Sequence, residues 1–209
     1  MSCNRFLPFQ FLHNLGMPKS WAMTDVYGLD EPLLAMLPQP VVALLLLFPI
    51  NEKYEEYLKT LKFDKVPDSV YYMKQTISNA CGTVAMIHSV ANTVDQVNLE
   101  SGHLKDFLEA TKAKTPEERA TELEENAKIC EVHDNIAREG QTAAPSLEDN
   151  VDYHFIAFVE KDGILWDLDG RKTAPVNCGT SSKDTFLMVK NAFYFSICDL
   201  IVMLGFMVL

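Results

Sequence analysis

Two spacings of apolar positions recur along the chain, and each marks a different kind of element. Val41 to Phe48 is an unbroken aliphatic run closed by Pro49. A strand covered on both faces has no polar side, so the run predicts a fully buried central strand, and it is too short to cross a membrane. Asn51 to Lys62 places Tyr54, Leu58 and Leu61 on one helical face amid charges, which predicts a helix covering that strand. Gly82 to Ala91 repeats the helical spacing with Val84, Ile87, His88 and Ala91, and Ser78 or Asn79 stands where a side chain caps the first turn. Thr115-Pro116-Glu117-Glu118 is a capping box with proline at the first helical position, opening an acidic helix toward Glu125. Tyr153 to Asp169 holds two β-rich runs joined by Asp162-Gly163, a strong hairpin signal. Glu139 to Asn150, rich in Gly, Gln, Thr, Ala, Pro and Ser, reads as a loop. The expected fold class is therefore α/β of the α+β kind, without repeats, in a chain of 209 residues that fits one domain.

The chemistry concentrates in Gln75-Thr76-Ile77-Ser78-Asn79-Ala80-Cys81-Gly82-Thr83. Cys81 stands where a polar loop becomes an apolar helix. The partial positive charge of such an N-terminus lowers a thiol's pKa, and the thiolate is the nucleophile. Gln75, six positions earlier, supplies an amide donor for a developing oxyanion. The hairpin supplies partners: His154 and Asp169 have numbers summing to 323, close to what a turn near Lys161-Asp162 demands of cross-strand neighbours. An imidazole held by a carboxylate is the orienting half of a triad, the acid fixing the tautomer while the other ring nitrogen faces the nucleophile. The competing readings are a small buried cysteine and a half-exposed strand histidine with an incidental neighbour.

Taken together these residues resemble the ubiquitin carboxyl-terminal hydrolases, small papain-like cysteine proteases, and in particular their short single-domain animal members. The resemblance runs from about Arg5 to about Thr185. It rests on Asp25-Val26-Tyr27-Gly28, Leu45-Leu46-Leu47-Phe48-Pro49, the Gln75 to Thr83 block, Pro116-Glu117-Glu118-Arg119, Glu139-Gly140-Gln141-Thr142 and Leu168-Asp169-Gly170-Arg171-Lys172. It implies a papain-like fold, with a central, mostly antiparallel sheet flanked by helices and a knotted backbone. It also implies Cys81 as nucleophile, His154 as general base and acid, Asp169 as its orienting residue and Gln75 in the oxyanion hole. The implied activity is deubiquitination, removing small adducts from ubiquitin's C-terminal glycine through an acyl-thioester, with neither metal nor organic cofactor. Arg138 to Leu147 matches a crossover strap that would filter leaving groups by size. The implied partner is ubiquitin or a related modifier, met by a monomer. The alternative is a catalytically impaired ubiquitin-binding isoform of the same family; a redox-active thiol protein is more remote, since no resolving cysteine lies near Cys81.

Composition changes this picture only at the margins. Five cysteines without paired CxxC motifs argue against a disulfide framework or a zinc site, so Cys3, Cys130, Cys178 and Cys198 read as reduced thiols of a cytoplasmic protein. No secretory signal is read at the start, where Pro8 interrupts a short apolar run. A net charge of −11 disfavours nucleic acid and suits a basic partner. The family pattern breaks at both ends. Arg5 to Phe9 runs almost directly into Gln10-Phe11-Leu12, where related chains carry several more residues. After about Thr185 an acidic helix and a final strand are expected, yet Ala192 to Leu209 is apolar almost throughout, with Asp199 its single charge. An imperfectly packed replacement ranks first for this tail. A productive strand at Leu204 to Leu209 ranks second, and a membrane anchor last, because Asp199 would cost about 3 kcal/mol at the bilayer centre.

Overall fold

A computed structural model describes residues 7–26, 30–140, 153–183, 185–186 and 203–208. Helix α1 (Leu7–Asn14) is followed by strand β1 (Ala22–Asp25), a short helix α2 (Glu31–Leu34) and the predicted aliphatic strand β2 (Val41–Pro49). Asn51 caps helix α3 (Glu52–Thr60) by accepting the Tyr54 N–H at 2.9 Å. Helices α4 (Cys81–Asn92), α5 (Val94–Val97), α6 (His103–Thr111), α7 (Pro116–Glu125) and α8 (Ala127–Gly140) come next. The capping box at α7 is complete: the Thr115 N–H donates to Glu118 Oε2 and the Glu118 N–H to Thr115 Oγ1. Helix α8 runs on through Glu139 and Gly140, which the loop reading had placed outside it. The rest of that loop, with residues 141–152, lies outside the described residues, as does most of the expected strap.

Strands β3 (Tyr153–Lys161) and β4 (Ile164–Leu168) form the expected hairpin, followed by β5 (Val176–Thr180) and β6 (Met203–Val208). Asp162 and Gly163 take positive φ values of 56° and 80°, the two-residue turn whose twist matches the flanking strands. The sheet is antiparallel at every pairing, in the order β1-β6-β2-β3-β4-β5. Alternation along the strands divides the core. Ala43, Leu45, Ala157, Val159, Trp166 and Leu168 pack with residues of α1, α4, α6 and α8. Leu46, Phe48, Ile156, Phe158 and Leu165 pack with Leu34 of α2 and with Tyr54 and Tyr57 of α3.

The tail corrects the first-ranked expectation. Met203 to Val208 is a strand seated between β1 and β2, with Ala22 opposite Val208 and Leu46 opposite Leu204. Both edges of this strand are paired, and its neighbour β2 is buried along nearly its whole length, a setting that suits a segment apolar at every position except Gly205. Its place in the sheet also gives β1 and β2 pairing partners on edges that would otherwise stand open. Asp199 and the rest of 187–202 lie outside the described residues. No helix among the described residues is long and apolar enough to cross a membrane.

Candidate active site

An extended segment from Val70 to Gln75 delivers the glutamine, and side chains together with turn and helix-start carbonyls, rather than a neighbouring strand, satisfy its backbone. Asn92 Oδ1 accepts the Tyr71 N–H at 2.8 Å, and Asn92 Nδ2 donates to Tyr71 O at 2.9 Å. Arg119 donates to Tyr72 O at 2.8 Å, with its guanidinium 4.1 Å from the Tyr71 ring centroid. His88 Nε2 accepts the Met73 N–H at 3.1 Å, so its Nδ1 carries the proton and donates to Leu168 O at 3.2 Å. The Gln75 N–H then donates to Gly170 O at 2.9 Å. These bonds tie the segment bearing Gln75 to the end of β4, just before Asp169. His88 is fully buried, and burial lowers its pKa to about 4, so the ring serves as a neutral strut.

Cys81 opens α4 without the capping side chain expected of it. Asn79 adopts a left-handed φ of 62°, Ala80 takes the N-cap position, and no side chain bonds the first turn. Neither Ser78 nor Asn79 therefore competes for the amides at that helix start, and the Gly82 N–H is left to bond the Cys81 sulfur. Gln75 Nε2 donates to Ile77 O at 3.3 Å.

His154, the second residue of β3, lies beside Asp169 as expected, but not through cross-strand pairing. Ala157 pairs with Leu168 and Lys161 with Ile164, so paired numbers sum to 325 rather than 323. Asp169 lies one residue beyond β4, in a turn where its carbonyl accepts the Lys172 N–H at 3.0 Å. From there its Oδ1 meets His154 Nε2 at 2.7 Å and accepts the Arg171 N–H at 2.9 Å. The Tyr54 hydroxyl donates to Oδ2, and Lys172 Nζ stands 3.8 Å from that same oxygen while pairing with Asp167. Tyr72 donates to Asp169 O at 2.8 Å and to Lys172 O at 2.7 Å. Phe48 contacts the imidazole edge-on, with ring centroids 5.9 Å apart. His154 and Asp169 are both essentially solvent-free, at 2% and 0% exposure.

The electrostatics favour a charged pair. Burial raises the Cys81 pKa, but the hydrogen bond from His154, backbone donors at Phe155 and Gly82, and the imidazolium charge together bring it below the ordinary thiol value. Burial opposes a charged His154, yet hydrogen bonds to Asp169 and Cys81 and their negative charges raise it to about 9. Burial likewise opposes an ionised Asp169, and is outweighed by His154, Lys172 and Tyr54, so it stays below the carboxylate range. With Nε2 held by Asp169, Nδ1 is the ring nitrogen left to bond the thiol. The arrangement sets a thiol with a lowered pKa beside an imidazole with a raised one, with a fixed carboxylate behind them, a geometry suited to acyl transfer.

The family follows from the whole sequence as well as from the site. A profile of the family described as ubiquitin carboxyl-terminal hydrolase, family 1, matches residues 7–195. The chain belongs to this family. The ubiquitin carboxyl-terminal hydrolase of Aplysia californica is 49% identical over 179 residues, spanning 85% of this chain and 84% of the relative. Human ubiquitin carboxyl-terminal hydrolase isozyme L1 is 44% identical over 192 residues, spanning 90% and 85%. The fold is similar to the crystal structure of the Trichinella spiralis UCH37 catalytic domain bound to ubiquitin vinyl methyl ester. The TM-score is 0.76 at 22% identity, over 99% of this chain and 93% of that one. The chain thus has the papain-like fold of these cysteine peptidases.

All four residues singled out from sequence lie in one neighbourhood, joined through the bonds between Gln75 and Gly170, between His154 and Asp169 and between His154 and Cys81. Sequence reasoning missed the supports. His88 was legible only as an apolar-face position, Tyr54 as a helix-face aromatic, Arg119 only as part of the Pro116-Glu117-Glu118-Arg119 motif, and Asn92 not at all. Gly170 carried no signal beyond its motif, yet a Cβ there would stand 2.9 Å from Gln75 Cβ. Among the described residues no cluster of His, Cys, Asp or Glu could hold a metal ion, and Cys81, Cys130 and Cys178 form no disulfide.

Proposed function

We propose that this chain is a deubiquitinating thiol hydrolase that releases small adducts from the C-terminal glycine of ubiquitin or a closely related modifier. The observation that carries the reading is the half-buried Cys81 beside the buried His154–Asp169 pair, with its lowered thiol and raised imidazole pKa values. The Cys81 thiolate attacks the glycine carbonyl carbon, and the carbonyl π electrons move to oxygen. The Cys81 N–H and a Gln75 amide hydrogen donate to that oxyanion; each such donor is worth about 3 kcal/mol of transition-state stabilisation. The tetrahedral centre collapses, the bond to the leaving amine or thiol breaks, and the His154 imidazolium gives up its proton to the departing atom. Neutral His154 then takes a proton from water, whose oxygen attacks the thioester and restores Cys81 as the carboxylate leaves. Asp169 holds the ring in one tautomer through both halves.

The Trichinella relative bound to a ubiquitin ester probe supports ubiquitin as the acyl donor, and the acidic net charge suits ubiquitin's basic tail. The place of β6 in the sheet supports an active fold over a binding-only isoform. The test is steady-state hydrolysis of ubiquitin bearing a C-terminal fluorogenic amide. Turnover is expected to vanish in Cys81→Ala and His154→Ala, while His154→Ala keeps wild-type affinity for ubiquitin. Substantial turnover in either variant refutes the assignment.

A further inference from the structure

The two oxygens of Asp169 are held by different groups. Oδ1 faces His154 Nε2 at 2.7 Å and the Arg171 N–H at 2.9 Å. On the other side, Oδ2 accepts the hydroxyl of Tyr54, a residue 115 positions away whose ring is 1% exposed. Lys172 Nζ is 3.8 Å from Oδ2, beyond hydrogen-bond reach but close enough to attract it in a dry interior. A carboxylate flanked by a buried ammonium has a competing orientation, turned toward the ammonium and away from the imidazole. The Tyr54 hydroxyl opposes that rotation. Its ring is fixed edge-on to Phe48 with centroids 4.9 Å apart, and its backbone sits in the first turn of α3, where Asn51 Oδ1 accepts the Tyr54 N–H.

We propose that Tyr54 is a positioning residue for the catalytic dyad, fixing the carboxylate plane of Asp169 so that Oδ1 points at His154 Nε2. Its ring also lies beside that of His154, with centroids 6.5 Å apart, a contact that Tyr54→Phe keeps, so the hydroxyl itself acts through Asp169. Burial and the neighbouring carboxylates raise the tyrosine pKa, so the hydroxyl stays a donor throughout the range in which the enzyme would work. Helix α3 is thereby more than a cover for the sheet: it reaches the chemistry through one hydrogen bond.

The proposal rests on the hydrolase reading, and two measurements keep the two apart. The first is kinetic. Tyr54→Phe retains the ring and removes only the hydroxyl, so kcat is expected to fall about tenfold, with KM unchanged and the thermal melt within a few degrees of wild type. In an Asp169→Ala background the same substitution is expected to change kcat less than twofold, because the group it acts through is gone. The second needs no substrate: iodoacetamide alkylation of Cys81 against pH, read on the folded protein. The profile of Tyr54→Phe is expected to shift to higher pH, since a loosened carboxylate supports the imidazolium less. A kcat within twofold of wild type, an equal loss in the Asp169→Ala background, or superimposable alkylation profiles would each overturn the proposal. Absence of turnover in the wild type would defeat the hydrolase reading, and the alkylation profiles would still decide the role of Tyr54.

Discussion

Gly170→Ala is the sharpest probe of how the site is assembled. Gly170 does not have a left-handed φ, so its backbone admits alanine and the cost is one of contact alone. The added Cβ would lie 2.9 Å from Gln75 Cβ, 3.0 Å from Val84 Cγ1 and 3.1 Å from Gln75 N, against an ordinary contact of 3.4 Å or more. Val84 is buried in α4, where a β-branched side chain has little rotamer freedom, and gives little room. Gln75 Cβ and N belong to or adjoin the backbone and can relieve the clash only by moving, by about half an ångström. Overpacking of this kind costs about 1–3 kcal/mol, which in a domain of this size lowers the melting temperature by roughly 2–12 °C. The same shift stretches the 2.9 Å bond from Gln75 N to Gly170 O and separates Gln75 from Asp169. A misplacement of 1 Å can cost about a hundredfold in rate, so half of that is expected to cost about tenfold in kcat. Gly82→Ala is the control: its Cβ would meet the Phe155 ring at 3.4 Å, an ordinary contact, and alanine favours the helix by up to about 1 kcal/mol. The assays are thermal denaturation and hydrolysis of a ubiquitin fluorogenic amide. A Gly170→Ala protein with unchanged melting and with kcat within twofold of wild type would refute the close-approach argument.

Further expectations can be checked independently. His88 stays neutral when folded down to about pH 4, whereas in the unfolded chain it protonates near 6.5. The unfolded state therefore binds more protons between those values, and stability falls as pH drops from 6.5 to 4, by roughly 3 kcal/mol from this group. Urea denaturation should show a smaller loss between pH 7 and pH 4.5 in His88→Gln; an equal loss contradicts the assignment. In His154→Ala, Cys81 alkylation is expected to lose its low-pH reactivity and to rise only in the ordinary thiol range, while in the wild type the alkaline limb of kcat should appear near pH 9, where the imidazolium is lost. A His154→Ala alkylation profile that matches wild type would contradict the pairing. Thr115→Ala removes the capping box of α7 and is expected to cost about 1 kcal/mol without changing kcat, read by denaturation and turnover.

What the sequence made legible was local. The aliphatic run of β2, the capping box at Thr115 and the Asp162-Gly163 turn each carry their whole signal within a dozen residues, and each formed as expected. The His154–Asp169 pair was found with the wrong geometry, because Asp169 leaves the strand and reaches back from a turn rather than facing its partner across the ladder. Strand β6 was ranked too low because its partners, β1 and β2, lie more than 150 residues earlier, and no local pattern records such pairing. The supports of the site were illegible for a related reason. His88, Asn92 and Arg119 bond backbone atoms of distant segments, and any residue type can supply a backbone carbonyl. The missing cap at Cys81 turned on the left-handed φ of Asn79, a choice that asparagine permits but does not announce.

The central claim is that Cys81 is the thiolate that accepts a ubiquitin acyl group. The most direct measurement is incubation of the purified protein with ubiquitin vinyl methyl ester at neutral pH, followed by peptide mapping of the adduct by mass spectrometry. The expected result is one ubiquitin per chain, attached at Cys81, and no adduct in Cys81→Ala. No adduct in the wild type, or one attached instead at Cys130 or Cys178, would contradict it.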